Sequence, residues 1–418
     1  MKFVLAVLLL ASARVLAADP EDFYKAARQA HERKDYAGYV ENLLKVLDAG
    51  TRHPVIYLGL AGGYAQLSDK AQAIAWLDRY AALGIVAPIE DDPDLQPLRA
   101  TPEFQAVLKI FTHSLRPTHR SKVGFQLAET RFIAEGVAYD PDTGDFFVSS
   151  ILQKKVVRVK RSGGVEDFVA GRKELAAVLG LSVDSRSHSL WVATSSIPEL
   201  KEGAPRTPPG VYQYDLRDGA LLAGHTLDDS EPHVLGDVVP GPDGRAYTSD
   251  SASGGSVYVT APGGHLEEFA GSGLFRSPQG LCFTPDGRTL FVADYVRGLF
   301  SIDVRSRQSF KLDRPTNVTL TGIDGLYFHH GALIATQNGV NPNRVLRIAL
   351  AAASPGQPQR RIAAVTVLES NNPQFQEITL GVVARDTLYY VANGQFDSYL
   401  ANPDGDLKAP LILALPLR

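Results

Sequence analysis

Residues 279–294 read QGLCFTPDGRTLFVAD, and this stretch decides the fold. Two apolar runs, 281–283 and 290–293, flank a Thr-Pro-Asp-Gly turn, which is typical of a β-hairpin. A similar phrase begins at Glu135, and copies recur about six times up to Asn393. A hairpin repeated every roughly 40–50 residues predicts the blades of a β-propeller.

The copies align on one position, which is glycine in all but one of them: Gly136, Gly180, Asp237, Gly280, Gly325 and Gly381. Three intervals are 43 to 45 residues long, and the intervals of 57 and 56 residues imply inserted loops. The spacing predicts a mainly β domain, a six-bladed propeller over residues 123–418. A chance alignment of hairpins in another β fold is the alternative. The last copy lacks an outer strand, and residues 122–127 are predicted to supply it, because that pairing leaves no free edge.

The residue before each aligned position is predicted to point into the central channel. These residues are Glu135, Leu179, Gly236 (with Asp237 beside it), Gln279, Asp324 and Leu380. Oxygen donors that converge on one axis suit Ca²⁺ or another hard cation. Without a cation, carboxylates at such an axis repel one another and shift each other's pKa. The pattern therefore predicts a metal site formed by Glu135, Gln279 and Asp324.

The phrases 134–140, 277–287 and 322–326 resemble the six-bladed propeller family of gluconolactonases, senescence marker protein (regucalcin) and strictosidine-synthase-like proteins. The resemblance covers residues from about 123 to the end of the chain. It implies a divalent cation bound by a first-blade Glu, middle-blade Asn residues and a fifth-blade Asp. Glu135 and Asp324 match this set. The middle blades depart from it, because Gly236 offers no side chain and Gln279 is one methylene longer than Asn.

Three residues are candidates for catalysis. They are Asp237, which lies beside the axial position of the third copy, Asp294, which like Asp250 could support a ligand or orient a water, and His233, which lies near the channel as a possible acid or base. The alternative is that strand-end carboxylates satisfy turn amides. His329 and the residue after it replace the usual turn on the opposite face, which favours a solvated turn over a catalytic pair.

The insert at residues 195–209 is rich in proline and is expected on the channel face, where it could form a lid or a plain surface excursion. Nucleotide, zinc and serine-hydrolase motifs are lacking in the sequence. The net charge of −4 and the lack of a basic stripe give no indication of nucleic-acid binding. Cys282 lies in an apolar strand and is expected to be buried.

The first 18 residues are predicted to be a signal peptide. Lys2 precedes the apolar run 3–11, and small residues follow at the positions that a signal peptidase reads, with cleavage after Ala17 or Ala18. The run is too short to span a bilayer. The sequence therefore predicts an exported, periplasmic or extracellular protein without a membrane span.

Residues 19–115 have helical spacing and a repeat of 34 residues, which resembles the tetratricopeptide repeat. The paired positions include Ala27 with Ala61 and Leu43 with Leu77. A final helix is predicted from Pro102 to about His113, with Thr101 as its N-cap, and residues 116–122 form a linker. The helices could bind a protein partner or only pack against the propeller.

The sequence predicts a metal-assisted hydrolase of a lactone or a related ester, with a small-molecule substrate in the channel. The alternative is a non-catalytic propeller that binds a small molecule or a protein and has a degenerate metal site. The substrate is not specified by any motif.

Overall fold

The computed structural model describes residues 20–197, 200, 207–227, 231–252, 254–271, 273–352 and 359–418. The chain divides into two compact units: residues up to Leu77 with Ile89–Thr101, and Asp78–Pro88 with Pro102–Arg418. The predicted signal peptide lies outside the described residues. None of the helices in the described ranges is long and apolar enough to cross a bilayer.

Helices precede the sheets along the chain, as predicted. They are α1 (Pro20–Glu32), α2 (Tyr36–Asp48), α3 (Pro54–Gln66), α4 (Lys70–Ala81), a 3₁₀ helix (Pro93–Leu98) and α5 (Pro102–Ser114). In the first unit, α1 contacts α2, and α2 contacts α3. The repeat positions Ala27, Leu43, Ala61 and Leu77 are all buried, so the small and large residues alternate in the core as the repeat predicts. The assignment to tetratricopeptide repeats stays a prediction.

The β unit contains six blades. The first strand, β1 (Lys122–Gln126), is followed by blade one: β2 (Ala134–Tyr139), β3 (Phe146–Ser150), β4 (Lys155–Val159) and β5 (Val165–Val169). Blade two is β6 (Ala177–Asp184), β7 (Ser189–Ser195), β8 (Gly210–Asp215) and β9 (Leu221–Thr226). Blade three is β10 (Leu235–Pro240), β11 (Ala246–Asp250), β12 (Ser256–Ala261) and β13 (His265–Ala270).

The remaining blades follow the same order. Blade four is β14 (Pro278–Phe283), β15 (Thr289–Asp294), β16 (Gly298–Asp303) and β17 (Ser309–Lys311). Blade five is β18 (Ile323–His329), β19 (Ala332–Gln337), β20 (Arg344–Leu350) and β21 (Ile362–Ser370). Blade six is β22 (Gly381–Ala384), β23 (Thr387–Val391) and β24 (Leu411–Pro416), with the short helix α6 (Phe396–Ala401) between β23 and β24.

The first strand completes the last blade. β1 pairs antiparallel with β24, and Lys122 lies opposite Ala414 in the register. The sheet of blade six therefore runs β1-β24-β23-β22. This confirms that the start of the domain supplies the missing outer strand, so the two ends of the propeller are held by one sheet.

The inner strands form a closed ring around the axis. β2 contacts β6, β6 contacts β10, and the series continues through β14, β18 and β22 back to β2. Glycines permit this close approach: a Cβ atom on Gly180 would lie 2.6 Å from the carbonyl oxygen of Gly236. Apolar clusters fill the space between blades. One of them joins Phe147 of blade one to Leu190 of blade two.

Candidate functional site

Each of the first five blades carries the same irregularity on its inner strand. In each blade, two consecutive residues of the first strand have no partner in the second strand. These pairs are 135–136, 179–180, 236–237, 279–280 and 324–325. The skipped pair is the predicted axial residue and its neighbour. A β-bulge re-aims side chains and frees backbone groups. Hydroxyl groups accept the freed amides in three blades, as where the N–H of Gly136 donates to Ser149 Oγ at 2.8 Å.

The ring brings acidic side chains together at the axis. Burial raises the pKa of Glu135 well above its ordinary value, and the charges of Asp324, Glu377 and Asp237 raise it further. Burial also raises the pKa of Asp324, with Asp237 and Glu377 as the next causes. Within the described ranges, the groups that shift the pKa of these two carboxyls include no lysine, arginine or histidine. Burial and neighbouring carboxyls therefore oppose the ionisation of both groups at the centre of the channel.

Asp324 is held in place by a short polar network. Its Oδ2 accepts a hydrogen bond from Asn338 Nδ2 at 2.8 Å, and Asn338 Oδ1 accepts one from the Tyr295 hydroxyl at 3.0 Å. Asn338 also donates to the carbonyl of Ile378 at 2.9 Å, beside Glu377. Only one oxygen of Asp324 is used, so the other stays available to a ligand.

Gln279 reaches toward the blade that lacks an axial side chain. Its Oε1 lies 3.5 Å from the position that a Cβ atom would take on Gly236. Its Nε2 donates to Ser277 Oγ at 3.1 Å, which orients the amide. The additional methylene therefore carries a carbonyl oxygen into the space left by Gly236, so the two departures from the family pattern meet at one place.

Asp237 joins blade three to blade four. Its Oδ2 accepts the N–H of Leu281 at 3.0 Å and its Oδ1 accepts the N–H of Val238 at 2.9 Å. Burial raises the pKa of Asp237 to about 7, while these two bonds act in the opposite direction. Both oxygens thus hold backbone groups, and the carboxyl is still close enough to Glu135 to raise its pKa.

Asp294 is fully buried, and both of its carboxylate oxygens accept hydrogen bonds from backbone N–H groups. Oδ2 accepts the N–H groups of Arg276 and Ser277, and Oδ1 accepts those of Val296 and Arg297, over 2.6 to 3.0 Å. These contacts favour the structural alternative for this residue, although its catalytic role stays untested.

His233 and Asp250 form a buried pair. His233 Nδ1 lies 2.5 Å from Asp250 Oδ2, and the ring packs edge-on against Tyr258. Asp250 Oδ1 also accepts the backbone N–H of Val234 and Ala252. His233 is not among the groups that perturb the axial carboxyls Glu135 and Asp324. Its predicted role as an acid or base is likewise untested.

Sequence reasoning missed Glu377, which lies outside the bulge pattern. Blade six has no skipped pair, since β22 begins at Gly381 with Tyr390 opposite. The segment that precedes β22 therefore does not follow the bulge pattern of the other blades. Glu377 is the only acidic residue within 373–380. Its Oε2 accepts the N–H of Phe396 at 2.8 Å. Burial and nearby Asp397 raise the pKa of Glu377.

An apolar cluster lies beside the inner and second strands. Ile133 precedes β2, Ile151 follows β3 and Ala177 begins β6; Leu200 and Leu407 complete the buried set. Leu200 belongs to the predicted insert at 195–209, of which residues 198–199 and 201–206 lie outside the described residues. The described part of the insert therefore packs on apolar neighbours.

His329 and His330 meet Asp386 on blade six. The Nε2 atoms lie 3.0 and 2.9 Å from Asp386 Oδ1, and Arg418 pairs with Oδ2. The expectation of a solvated turn is wrong for His329, which is buried against Asp386. The expectation holds for His330, which is exposed. Within the described ranges, this is the one group of three His, Cys, Asp or Glu residues with ligand atoms within 4.8 Å of one another.

The axial residues fit a hard cation by their chemistry. Glu135, Asp324 and Gln279 offer oxygen donors, and a bound cation would offset the burial and the mutual repulsion that raise the pKa of the two carboxyls. The carboxylates of the channel are not gathered within 4.8 Å in threes among the described residues. Ca²⁺ accepts about six to eight oxygen ligands in flexible geometry, and water can supply those that the side chains do not.

The closed ring of six four-stranded blades defines the class: this part of the chain is a six-bladed β-propeller. Residues 133–327 match the family model described as the SMP-30/gluconolactonase/LRE-like region. The family resemblance predicted from the blade phrases is confirmed over these residues. No curated protein matches the sequence significantly.

Two solved structures are similar to the chain. A gluconolactonase from Xanthomonas campestris is 15% identical, with a TM-score of 0.44 over 72% of this chain and 96% of that one. Regucalcin from Agrobacterium tumefaciens, described as a calcium-binding protein, is 17% identical, with a TM-score of 0.46 over 69% of this chain and 92% of that one.

Proposed function

We propose that the channel holds a divalent cation, Ca²⁺ in the first place, and hydrolyses a lactone or a related ester. The observation that carries the proposal is the cluster of buried carboxyls at the axis, where burial and the charges of Asp324 and Glu377 raise the pKa of Glu135. Glu135 and Asp324 would hold the cation, with the carbonyl oxygen of Gln279 as a further donor. A bound cation would polarise the substrate carbonyl and lower the pKa of a water molecule.

Glu377 is the residue best suited to accept a proton from the attacking water. Its Oε2 is fixed by the N–H of Phe396, while its Oε1 accepts no hydrogen bond from the described residues. The raised pKa of Glu377 brings the carboxyl closer to neutral pH, which favours general-base catalysis. Water would lose a proton to Glu377 as its oxygen adds to the carbonyl carbon. The ring C–O bond would then break, and the leaving alkoxide would take that proton back to give the hydroxy acid.

The experiment is hydrolysis of a panel of aldonolactones and alkyl lactones, followed with a pH indicator before and after EDTA treatment. We expect hydrolysis that EDTA abolishes and Ca²⁺ restores. Glu377→Gln should lower kcat at least tenfold while Ca²⁺ binding persists. Asp404→Asn, which alters an exposed carboxylate that is not among the groups that shift the pKa of Glu377, is the matched control. Turnover that is unaffected by EDTA or by Glu377→Gln would contradict this role.

A propeller that binds a ligand without catalysis is the second candidate. The oxygens of Asp237 and Asp294 accept backbone N–H groups, which favours a structural role for these two carboxylates over a catalytic one. Ca²⁺ binding without hydrolysis of any lactone in the panel would favour this candidate.

The proposal includes export and a protein partner for the helices. The charged start, short apolar run and small residues within 1–18 support a cleaved signal peptide. N-terminal sequencing of protein recovered from a periplasmic fraction tests it: we expect a chain that starts at residue 18 or 19, and a chain that retains residues 1–17 would contradict export.

A further inference from the structure

A second cavity lies on the outer part of blade five, away from the axial carboxylates. It measures about 470 Å³ and lies within the propeller unit. Residues 82–84 and the end of α5 form one wall, and the ends of β20 and β21 form another. Its volume is in the range of pockets that hold small organic molecules.

A buried arginine lies in this wall. Arg344 begins β20 and is 4% exposed. Its Nε donates to Gln337 Oε1 at 2.6 Å and its Nη1 donates to the carbonyl of Leu83 at 3.1 Å. Its Nη2 makes no hydrogen bond to a described residue, and no described acidic side chain pairs with the guanidinium. Burial lowers the pKa of Arg344 to about 10, so the group stays charged at neutral pH.

Among the described residues that line the cavity none is acidic, and two are basic besides Arg344. His113 and Arg116 lie at its exposed edge. The acidic residue next in sequence to the lining is Glu369, whose oxygens accept hydrogen bonds from Ser121, Asn372 and Tyr390. Burial of a cation without a counter-charge is costly. An anion in the cavity would supply the missing partner.

The rest of the lining combines the polar residues Ser114, Thr118, Asn317 and Ser370 with apolar side chains. Leu346 is fully buried, Val318 and Val365 are half-buried, and Val367 is exposed. Leu346 follows Arg344 by two residues, so the two side chains share one face of the strand. A ligand that touches both would combine a negative group with an apolar body.

We propose that this cavity binds an organic carboxylate, with Arg344 holding the carboxylate and the side chains of Leu346, Val318 and Val365 holding the apolar portion. Guanidinium and carboxylate match in shape and can form two parallel hydrogen bonds. The site is separate from the channel and needs no cation. It could therefore retain an acidic product or sense an organic acid independently of hydrolysis.

The test is a fluorine NMR titration of the full chain with 4-fluorobenzoate in EDTA. We expect saturable line broadening that octanoate reverses and inorganic phosphate does not. Val367→Glu, which places a negative charge in the cavity at an exposed position, should weaken binding at least tenfold. Arg344→Gln should do the same. Arg288→Gln, at a distant exposed turn, and Glu135→Gln, in the channel, should leave binding unchanged.

Three results would overturn the proposal. They are the lack of saturable broadening with the wild-type protein, equal affinity in Val367→Glu, and displacement by phosphate but not by octanoate. The test stays decisive even if Arg344→Gln does not fold. Val367 is exposed, so Val367→Glu removes no buried polar contact and should fold. Loss of binding in Glu135→Gln would place the ligand in the channel and also contradict the proposal.

Discussion

The carboxamide oxygen of Gln279 lies 3.5 Å from the place where a Cβ atom of Gly236 would be. One blade lacks a side chain at the axis and its neighbour carries one that is longer by a methylene. The oxygen that the third blade lacks is thus supplied from the fourth. The two departures from the family pattern, Gly236 and Gln279, thus involve the same oxygen donor, so changing either residue should alter the affinity for Ca²⁺.

Gln279→Asn should weaken Ca²⁺ binding about tenfold, because the shorter side chain withdraws its oxygen from the space above Gly236. The double variant Gly236→Asn with Gln279→Asn should recover most of the affinity. Gln308→Asn, at an exposed turn, is the matched control. Isothermal calorimetry checks these affinities, and a double variant that binds no better than Gln279→Asn would show that the two positions do not substitute for each other.

The stability of the metal-free protein should fall as pH rises from 5 to 8. Burial raises the pKa of Asp237 to about 7, and those of Glu135 and Asp324 are raised as well. Between the unfolded pKa near 4 and the folded pKa, the folded state binds more protons, so raising the pH favours unfolding. We expect a loss on the order of 1–4 kcal/mol.

Urea denaturation in EDTA at pH 5 and pH 8 measures this loss. The double variant Glu135→Gln with Asp324→Asn should lose less stability over the same range, because two of the titrating groups are removed. Excess Ca²⁺ should reduce the loss in the wild-type protein. Stability that rises toward pH 8 in EDTA would contradict the electrostatic account of the channel.

Asp294→Asn should destabilise the propeller by on the order of 2–4 kcal/mol, because an amide cannot accept all the backbone N–H groups that the carboxylate holds. Ca²⁺ affinity of the folded variant should change less than twofold. Asp286→Asn, in the exposed hairpin turn of the same blade, is the control and should cost less than about 1 kcal/mol. Normal stability with lost binding would instead assign Asp294 to the site.

The blade repeat made the propeller predictable, since hairpin spacing and glycine positions are local features of sequence. Closure of the ring by residues 122–126 was predictable too, because a lone missing strand has few possible sources. Glu135, Gln279 and Asp324 followed from the same alignment. The bulge that exposes them was not visible in sequence, because the inner strands are largely buried on both faces and show no regular apolar–polar alternation that a bulge would interrupt.

Other parts of the site depend on tertiary contacts that no periodicity records. Glu377 reaches the axis from a stretch with no bulge, and its role follows from the fold of blade six. His329 is buried because Asp386 of the neighbouring blade covers it. The cavity at Arg344 joins segments more than 200 residues apart, such as 82–84 and β20.

The most direct test of the account is calorimetric titration of metal-free protein with Ca²⁺ at pH 7.5. The account predicts binding by the wild-type protein that weakens at least tenfold in Glu135→Gln and in Asp324→Asn, and that is unchanged in Asp386→Asn, which removes the carboxylate of the His329–His330 group. Lack of Ca²⁺ binding by the wild type, or binding that only Asp386→Asn abolishes, would contradict a cation site in the channel.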